Sequence, residues 1–268
     1  MASKDYFIDL GAKLIRIPNS RWYETPDGTF PSATTVLGAK AKQGLTSWQT
    51  QIALQGIDPK KESRRAMDEG SKVHAGCEAI MKGETLYFFD EVSEKENYDL
   101  HNEWLPICRF KEAFIKHEIK PILIEQTIWS AQHEFAGTLD LLCTLKPDPK
   151  TTKRCLGVID LKRSAAAFVE YHWQVAAYYK ALVEMAQTNP NFKEKMEGVE
   201  DMRAFLLLLN VATKKGWRLT EVDNIDQKFG FFQACNTLFR GENPNIQAVQ
   251  EMYPLELNLS DIGGEQSE

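Results

Sequence analysis

Cys155-Leu156-Gly157-Val158-Ile159-Asp160-Leu161-Lys162 is an apolar run that closes on an acid and a lysine. A second acid, Asp140, stands twenty residues upstream in Gly137-Thr138-Leu139-Asp140-Leu141-Leu142. Short apolar runs of this kind, bounded by turn residues, read as buried β-strands. Carboxylates and a lysine are costly to bury unless they pair or bind a cation. Residues two apart on a strand share a face, so Asp160 and Lys162 point the same way. Two acids and a lysine on adjacent strands suit a divalent metal and an activated water.

An acid-x-lysine triplet is a weak signal by itself. The chain holds five: Asp58-Pro59-Lys60, Glu118-Ile119-Lys120, Asp148-Pro149-Lys150, Asp160-Leu161-Lys162 and Asp226-Gln227-Lys228. Asp58 and Asp148 adjoin prolines in expected turns, and Glu118 and Asp226 fall at expected helix ends. Only Asp160 lies in an apolar strand that follows another acid-bearing strand. The competing reading is a surface ion pair at a strand end, which stabilises by about 0–1 kcal/mol.

Working outward, Gln174-Val175-Ala176-Ala177-Tyr178 places an amide and a phenol on one helix face by i, i+4 spacing. A helix beginning soon after Lys162 can lie against the same strand, where both groups can hold the lysine and touch a phosphate. His74 stands on an expected helix, where a lone histidine is more often structural than a ligand. It becomes a ligand only if that helix crosses near Asp140. Glu125, in Ile122-Leu123-Ile124-Glu125, is a third carboxylate or a strand-edge charge. Trp48, Trp129 and Trp173 read as core residues before base-stacking platforms. Pro31 to Thr35 offers hydroxyls for a phosphate, or a turn and cap.

The remaining pattern gives an expected hairpin, with strands Leu14 to Tyr23 and Thr29 to Leu37 joined by a Pro26-Asp27-Gly28 turn. Helices are expected over 45–54, 61–82, 104–116, 168–187 and 226–239. Strands are expected over 122–130, 135–145, 155–162, 203–212 and 217–222. The acidic stretch 84–103 reads as a solvated loop. The fold class is α/β: a mixed central sheet flanked by helices, with an N-terminal hairpin and helical appendage. One domain is expected over 1–253, with the appendage at 1–60, the core at 61–253 and an acidic, flexible tail at 254–268.

The bulk numbers bound the class. The chain has 268 residues, 43% hydrophobic and 26% charged, which suits a globular protein with ample core. No apolar run reaches a membrane span, and the N-terminus lacks signal or transit character, so the cytoplasm is expected, or the host cytoplasm for a viral gene. Five scattered cysteines without a C-x-x-C pair argue against zinc or an iron–sulfur cluster. The net charge of −6 weighs against nucleic acid as a partner but leaves room for a local basic groove.

Taken together, Gly137-Thr138-Leu139-Asp140, Ile159-Asp160-Leu161-Lys162 and Gln174-x-x-x-Tyr178 resemble the PD-(D/E)XK nuclease superfamily in its RecB-like exonuclease branch. His74 in Gly70-x-x-x-His74 matches that branch's early histidine. Pro31 to Thr35 followed by Leu45-Thr46-Ser47-Trp48 is similar to its N-terminal part. The pattern is similar to the mitochondrial genome-maintenance exonucleases and their bacterial and phage relatives, over roughly Pro31 to Tyr178.

The resemblance implies a restriction-endonuclease-like fold and Mg²⁺ or Mn²⁺ held by Asp140, Asp160 and the Leu161 carbonyl, with His74 and Glu125. It implies that Lys162 orients and deprotonates the attacking water, or stabilises the phosphorane charge, and that Gln174 and Tyr178 support the lysine and the DNA backbone. The expected function is metal-dependent exonuclease action on single-stranded DNA or DNA ends, in recombination, repair or degradation. A structure-specific endonuclease and a non-catalytic DNA-binding protein are the alternatives. The four-cysteine cluster of the iron–sulfur members and the helicase motifs are absent from the sequence. The acidic tail offers a docking element for a single-strand-binding or recombination protein. Reading Asp160 as an unpaired buried acid gives one further expectation: metal-free Asp160→Ala is at least as stable as the parent.

Overall fold

The computed structural model describes residues 6–17, 20–40, 43–196, 201–244 and 246. The expected acidic tail, 254–268, lies outside them. In chain order the elements are β1 (Lys13–Ile17), β2 (Ser20–Thr25), β3 (Gly28–Pro31), α1 (Ala33–Leu37), α2 (Gln43–Leu54) and α3 (Pro59–Lys82). Next come β4 (Phe89–Asp90), β5 (Lys95–Glu96), a π-helical turn (Leu100–Trp104), α4 (Leu105–Lys116), β6 (Lys120–Ser130), β7 (Phe135–Leu145) and β8 (Cys155–Lys162). The chain continues through α5 (Val169–Thr188), α6 (Pro190–Met196), β9 (Met202–Leu208), β10 (Arg218–Glu221) and α7 (Ile225–Glu242).

The central sheet has five strands in the order β10-β9-β8-β7-β6. Neighbours run antiparallel except β8 and β9, which are parallel. That parallel pair needs a long crossover, and α5 with α6 supplies it. The coarse expectation of a mixed sheet flanked by helices therefore matches the chain. Each fully buried Leu or Ile in these strands contributes about 1.5–3 kcal/mol, which is what tolerates the polar groups among them.

Two apolar layers sandwich the sheet. On one side Val175, Leu182 and Phe232 of α5 and α7 pack with Val36 of α1, Trp22 and Phe30 of the hairpin, and Leu156 and Val158 of β8. On the other, Val73, Cys77 and Met81 of α3 and Ile107 and Phe110 of α4 cover Leu141, Ile159 and Phe205. The alternation along β8 assigns Leu156 and Val158 to the α5 layer. Asp160 and Lys162 continue that face.

Helix α3 carries its own start and stop signals. Asp58 accepts hydrogen bonds from the N–H groups of Lys60 and Lys61, Pro59 occupies the first turn, and Gly83 closes the helix at φ +81°. Gly76 lets α4 approach closely, since a Cβ there would lie 2.4 Å from Ile107 Cδ1.

Several local expectations change. The single strand over Leu14 to Tyr23 is two antiparallel strands, β1 and β2, with Arg16 opposite Arg21. The expected strand over 29–37 ends at Pro31, and Ala33–Leu37 is helical. Ser32 caps it by accepting from the Thr35 N–H, and Val36 and Leu37 drop into the core. Here tertiary burial overrides a β-branched run. Pro190 opens α6 rather than only ending α5, in the first-turn position that needs no N–H. The acidic stretch is not all solvated: Glu103 is buried, accepts from the Asp99 N–H and pairs with Lys72 at 3.1 Å.

Candidate metal and catalytic site

The site forms where two strands part. Residues Leu141–Leu145 of β7 pair with Cys155–Ile159 of β8, and the ladder stops at Leu141 opposite Ile159. The next pair in register would be Asp140 opposite Asp160. Two facing carboxylates repel, and the backbones separate there. Separation would leave the Leu161 N–H without a β7 carbonyl. Instead it donates to Asp140 Oδ2 at 2.6 Å. The Asp140 side chain thus replaces a missing ladder bond.

Asp160 is 1% exposed and Asp140 8%. Lys162 Nζ lies 2.7 Å from Asp160 Oδ2 and 3.0 Å from Oδ1. The surface ion-pair reading therefore does not describe this pair. Oδ2 has charge contact with the ammonium but no aligned hydrogen bond, and it is a buried carboxylate oxygen with unused acceptor capacity. Lys162 Nζ also stands 5.1 Å over the Tyr171 ring, a partner that sequence reasoning missed. The signal was Tyr171 itself, three residues before Gln174 on the same helix face.

Helix α3 does cross near Asp140. His74 Nδ1 is 3.5 Å from Asp140 Oδ1. Ligand atoms of His74, Glu125 and Asp140 all lie within 4.8 Å of one another, spacing that can hold a metal ion. Glu125 stands on β6 between the register pairs Ile124–Leu141 and Gln126–Leu139, and adopts φ +49°, a left-handed conformation rare outside glycine. Such strain persists only where surroundings impose it, and it aims the carboxylate at the site. Asp160 is outside this triad, held by Lys162. Leu161 meets the site through its N–H, which Asp140 accepts.

Gln174 Nε2 donates to Tyr178 OH at 3.0 Å, both buried on α5. Tyr178 lies over Gly137, where a Cβ would come within 2.6 Å of its ring. Glycine at that position makes room for the phenol. Tyr23 reaches in from the hairpin, its OH 2.9 Å from Thr138 Oγ1. Of the tryptophans, Trp129 is buried and donates to Asp27 at 2.7 Å, and Trp173 stacks on Phe231. These are packing roles. Four cysteines are buried free thiols and Cys108 is exposed.

A cleft of about 800 Å³ opens over these groups, walled by α3, the β1–β2 hairpin and α5. No protein-family model matches the chain, and none of the curated proteins matches it either.

Burial pushes the Asp160 carboxyl up to about 6, even with Lys162 beside it. It remains ionised at pH 7.5. Burial opposes charge on Lys162, but Asp160 and Asp140 outweigh it and hold the ammonium. Burial works against Asp140 too, yet His74, Lys162 and the Leu161 N–H keep it below the usual carboxylate range. Burial also opposes the His74 cation, but Asp140 wins and raises it to about 9. Burial, reinforced by Asp140, raises Glu125 to about 8.

The metal-free fold therefore retains protons that the unfolded chain releases. Stability from His74 is full below its ordinary 6.5 and is lost as pH rises through about 9. Glu125 adds a growing penalty between its ordinary 4.5 and about 8. We expect the melting temperature in EDTA to fall steadily from pH 6 to pH 9. A flat or rising profile would show that these protons are not held.

The donor set fits a hard divalent ion. It offers carboxylate oxygens, one imidazole nitrogen and a buried carboxylate oxygen with acceptor capacity left beside Lys162, with no thiolate. Among the described residues no helix is long and apolar enough to cross a membrane.

Proposed function

We propose that this chain is a metal-dependent DNA nuclease of the PD-(D/E)XK type, acting as an exonuclease on single-stranded DNA or DNA ends. The observation that carries this reading is the fork between β7 and β8. Lys162 and the His74–Glu125–Asp140 group meet there in the lining of an open cleft, with the Asp160 carboxylate buried behind Lys162.

Asp140, His74 and Glu125 would hold Mg²⁺ or Mn²⁺, with Asp160 Oδ2 as a further oxygen. When bound, the cation would offset charge on the scissile phosphate and make a water easier to deprotonate. Lys162 is fixed by Asp160, so its ammonium is oriented before substrate arrives. It can position the attacking water and offset charge as the phosphorus becomes five-coordinate. Gln174 and Tyr178 present a buried amide and phenol beside it, suited to hydrogen-bond a phosphate oxygen. An approaching phosphate would meet prearranged donors rather than water, the general source of rate in phosphoryl transfer.

The test compares end-labelled linear single-stranded DNA with a closed circle of the same sequence, in Mg²⁺, Mn²⁺ or EDTA. Metal-dependent loss of the linear strand alone is the expected result. Cutting of the circle would move the assignment to an endonuclease on the same fold. Cutting of neither, on single-stranded or duplex ends, would leave a DNA-binding protein at most.

A further inference from the structure

The β1–β2 hairpin puts two arginines directly opposite each other. Arg16 and Arg21 are register partners, and the same face carries the Leu14–Tyr23 pair. All four residues line the cleft that holds Asp140 and Lys162. Like charges facing each other across an antiparallel pair destabilise it. The usual remedy is an interleaved acid. None serves here: among the described residues neither arginine forms an ion pair, and the hairpin's Glu24 pairs in register with Lys13 on the opposite face. Instead, Arg21 Nη2 donates to Thr34 Oγ1 at 2.7 Å, and its backbone N–H donates to Thr35 Oγ1. These bonds fix one guanidinium toward the cleft with other N–H groups unspent. A doubled, uncompensated guanidinium is poor for folding and well matched to a phosphate oxyanion, which accepts forked donors from each arginine.

We propose that Arg16, Arg21 and Thr34 form a second phosphate subsite, which grips the substrate strand's backbone away from the scissile phosphate. The subsite rests on the nuclease reading, because a strand crossing the cleft from Lys162 toward the hairpin presents its next phosphates to this wall. The contacts are to backbone alone, so the grip is indifferent to base sequence. It also reconciles an acidic chain with a nucleic-acid partner: the positive charge is local to one wall.

The test measures fluorescence anisotropy of a labelled single-stranded oligonucleotide in EDTA over a range of salt. Wild type, Arg16→Gln, Arg21→Gln, the double variant and Arg64→Gln, an exposed arginine outside the cleft, are compared. Each lost phosphate contact on a single strand should flatten the slope of log affinity against log salt by about 0.7. The double variant should therefore lose about 1.4 in slope and bind at least about tenfold more weakly at low salt. Arg64→Gln should track wild type. Melting temperatures should stay level or rise in the arginine variants, since like charges are relieved; a purely structural pair would lower them. Unchanged slope and affinity in the double variant, with wild-type cleavage intact, would overturn the subsite and leave the nuclease reading standing. Wild type that neither binds nor cuts DNA would overturn both.

Discussion

Asp160→Ala is expected to reduce metal-dependent DNA cleavage by about 10³-fold or more, equivalent to about 4 kcal/mol or more of lost transition-state stabilisation. The variant removes an oxygen donor and frees Lys162 from its fixed position. Its stability should fall as well. The expectation that the metal-free variant is at least as stable treats Asp160 as unpaired, whereas Lys162 Nζ stands 2.7 Å from its carboxylate. Breaking a buried pair by removing one partner costs about 3–5 kcal/mol. The effect should sit at the lower end, because the Lys162 side chain is 18% exposed and can lean on Tyr171. A double-mutant cycle separates the two effects. Asp160→Ala combined with Lys162→Met should be more stable than Asp160→Ala alone, while remaining inactive. Equal melting temperatures for parent and Asp160→Ala in EDTA would mean the pair has no net value.

Divalent metal should stabilise the parent chain strongly. A ligand at one hundred times its dissociation constant adds about 2.7 kcal/mol, or about 5–10 °C in melting temperature at this chain length. The shift should grow from pH 6 to pH 8.5, because metal must displace the protons held by His74 and Glu125. Mn²⁺ should exceed Mg²⁺, since an imidazole donor favours the transition metal. Asp140→Asn should abolish the shift, and His74→Gln should narrow the gap between the two ions. An unchanged thermal profile in both metals at pH 8.5 would mean that His74, Glu125 and Asp140 do not gather a cation.

Much of this geometry could be read along the chain. The strands Phe135–Leu145 and Cys155–Lys162 follow from their apolar runs and turn residues, to the residue. The shared face of Asp160 and Lys162 needs only the two-residue period. What could not be read depends on how elements meet. His74 joins Asp140 only because α3 packs on one layer of the sheet, an orientation no local pattern encodes. Glu125 faces Asp140 only once the β6–β7 register is known, and its left-handed backbone has no composition signal. Val36 and Leu37 read as strand because β-branched neighbours favour it, yet burial against α5 and α7 makes that segment helical. The Arg16–Arg21 pair depends on Leu14 to Tyr23 being two paired strands, which the apolar pattern read as one strand does not reveal.

The outer strand β6 borders the sheet, yet its rim is engaged. Ile124 N–H donates to the Tyr6 carbonyl, and the buried Gln126 amide accepts from Ile8 N–H and donates to the Ile8 carbonyl. The Gln126 side chain thereby imitates a peptide unit and holds residues 6–8 in place of a sixth strand. A raw strand edge is an invitation to other chains. The leading residues thus act as a self-supplied stopper against edge-to-edge assembly. A chain lacking residues 6–10 would leave the Ile124 N–H and the Gln126 amide of that edge open to another strand.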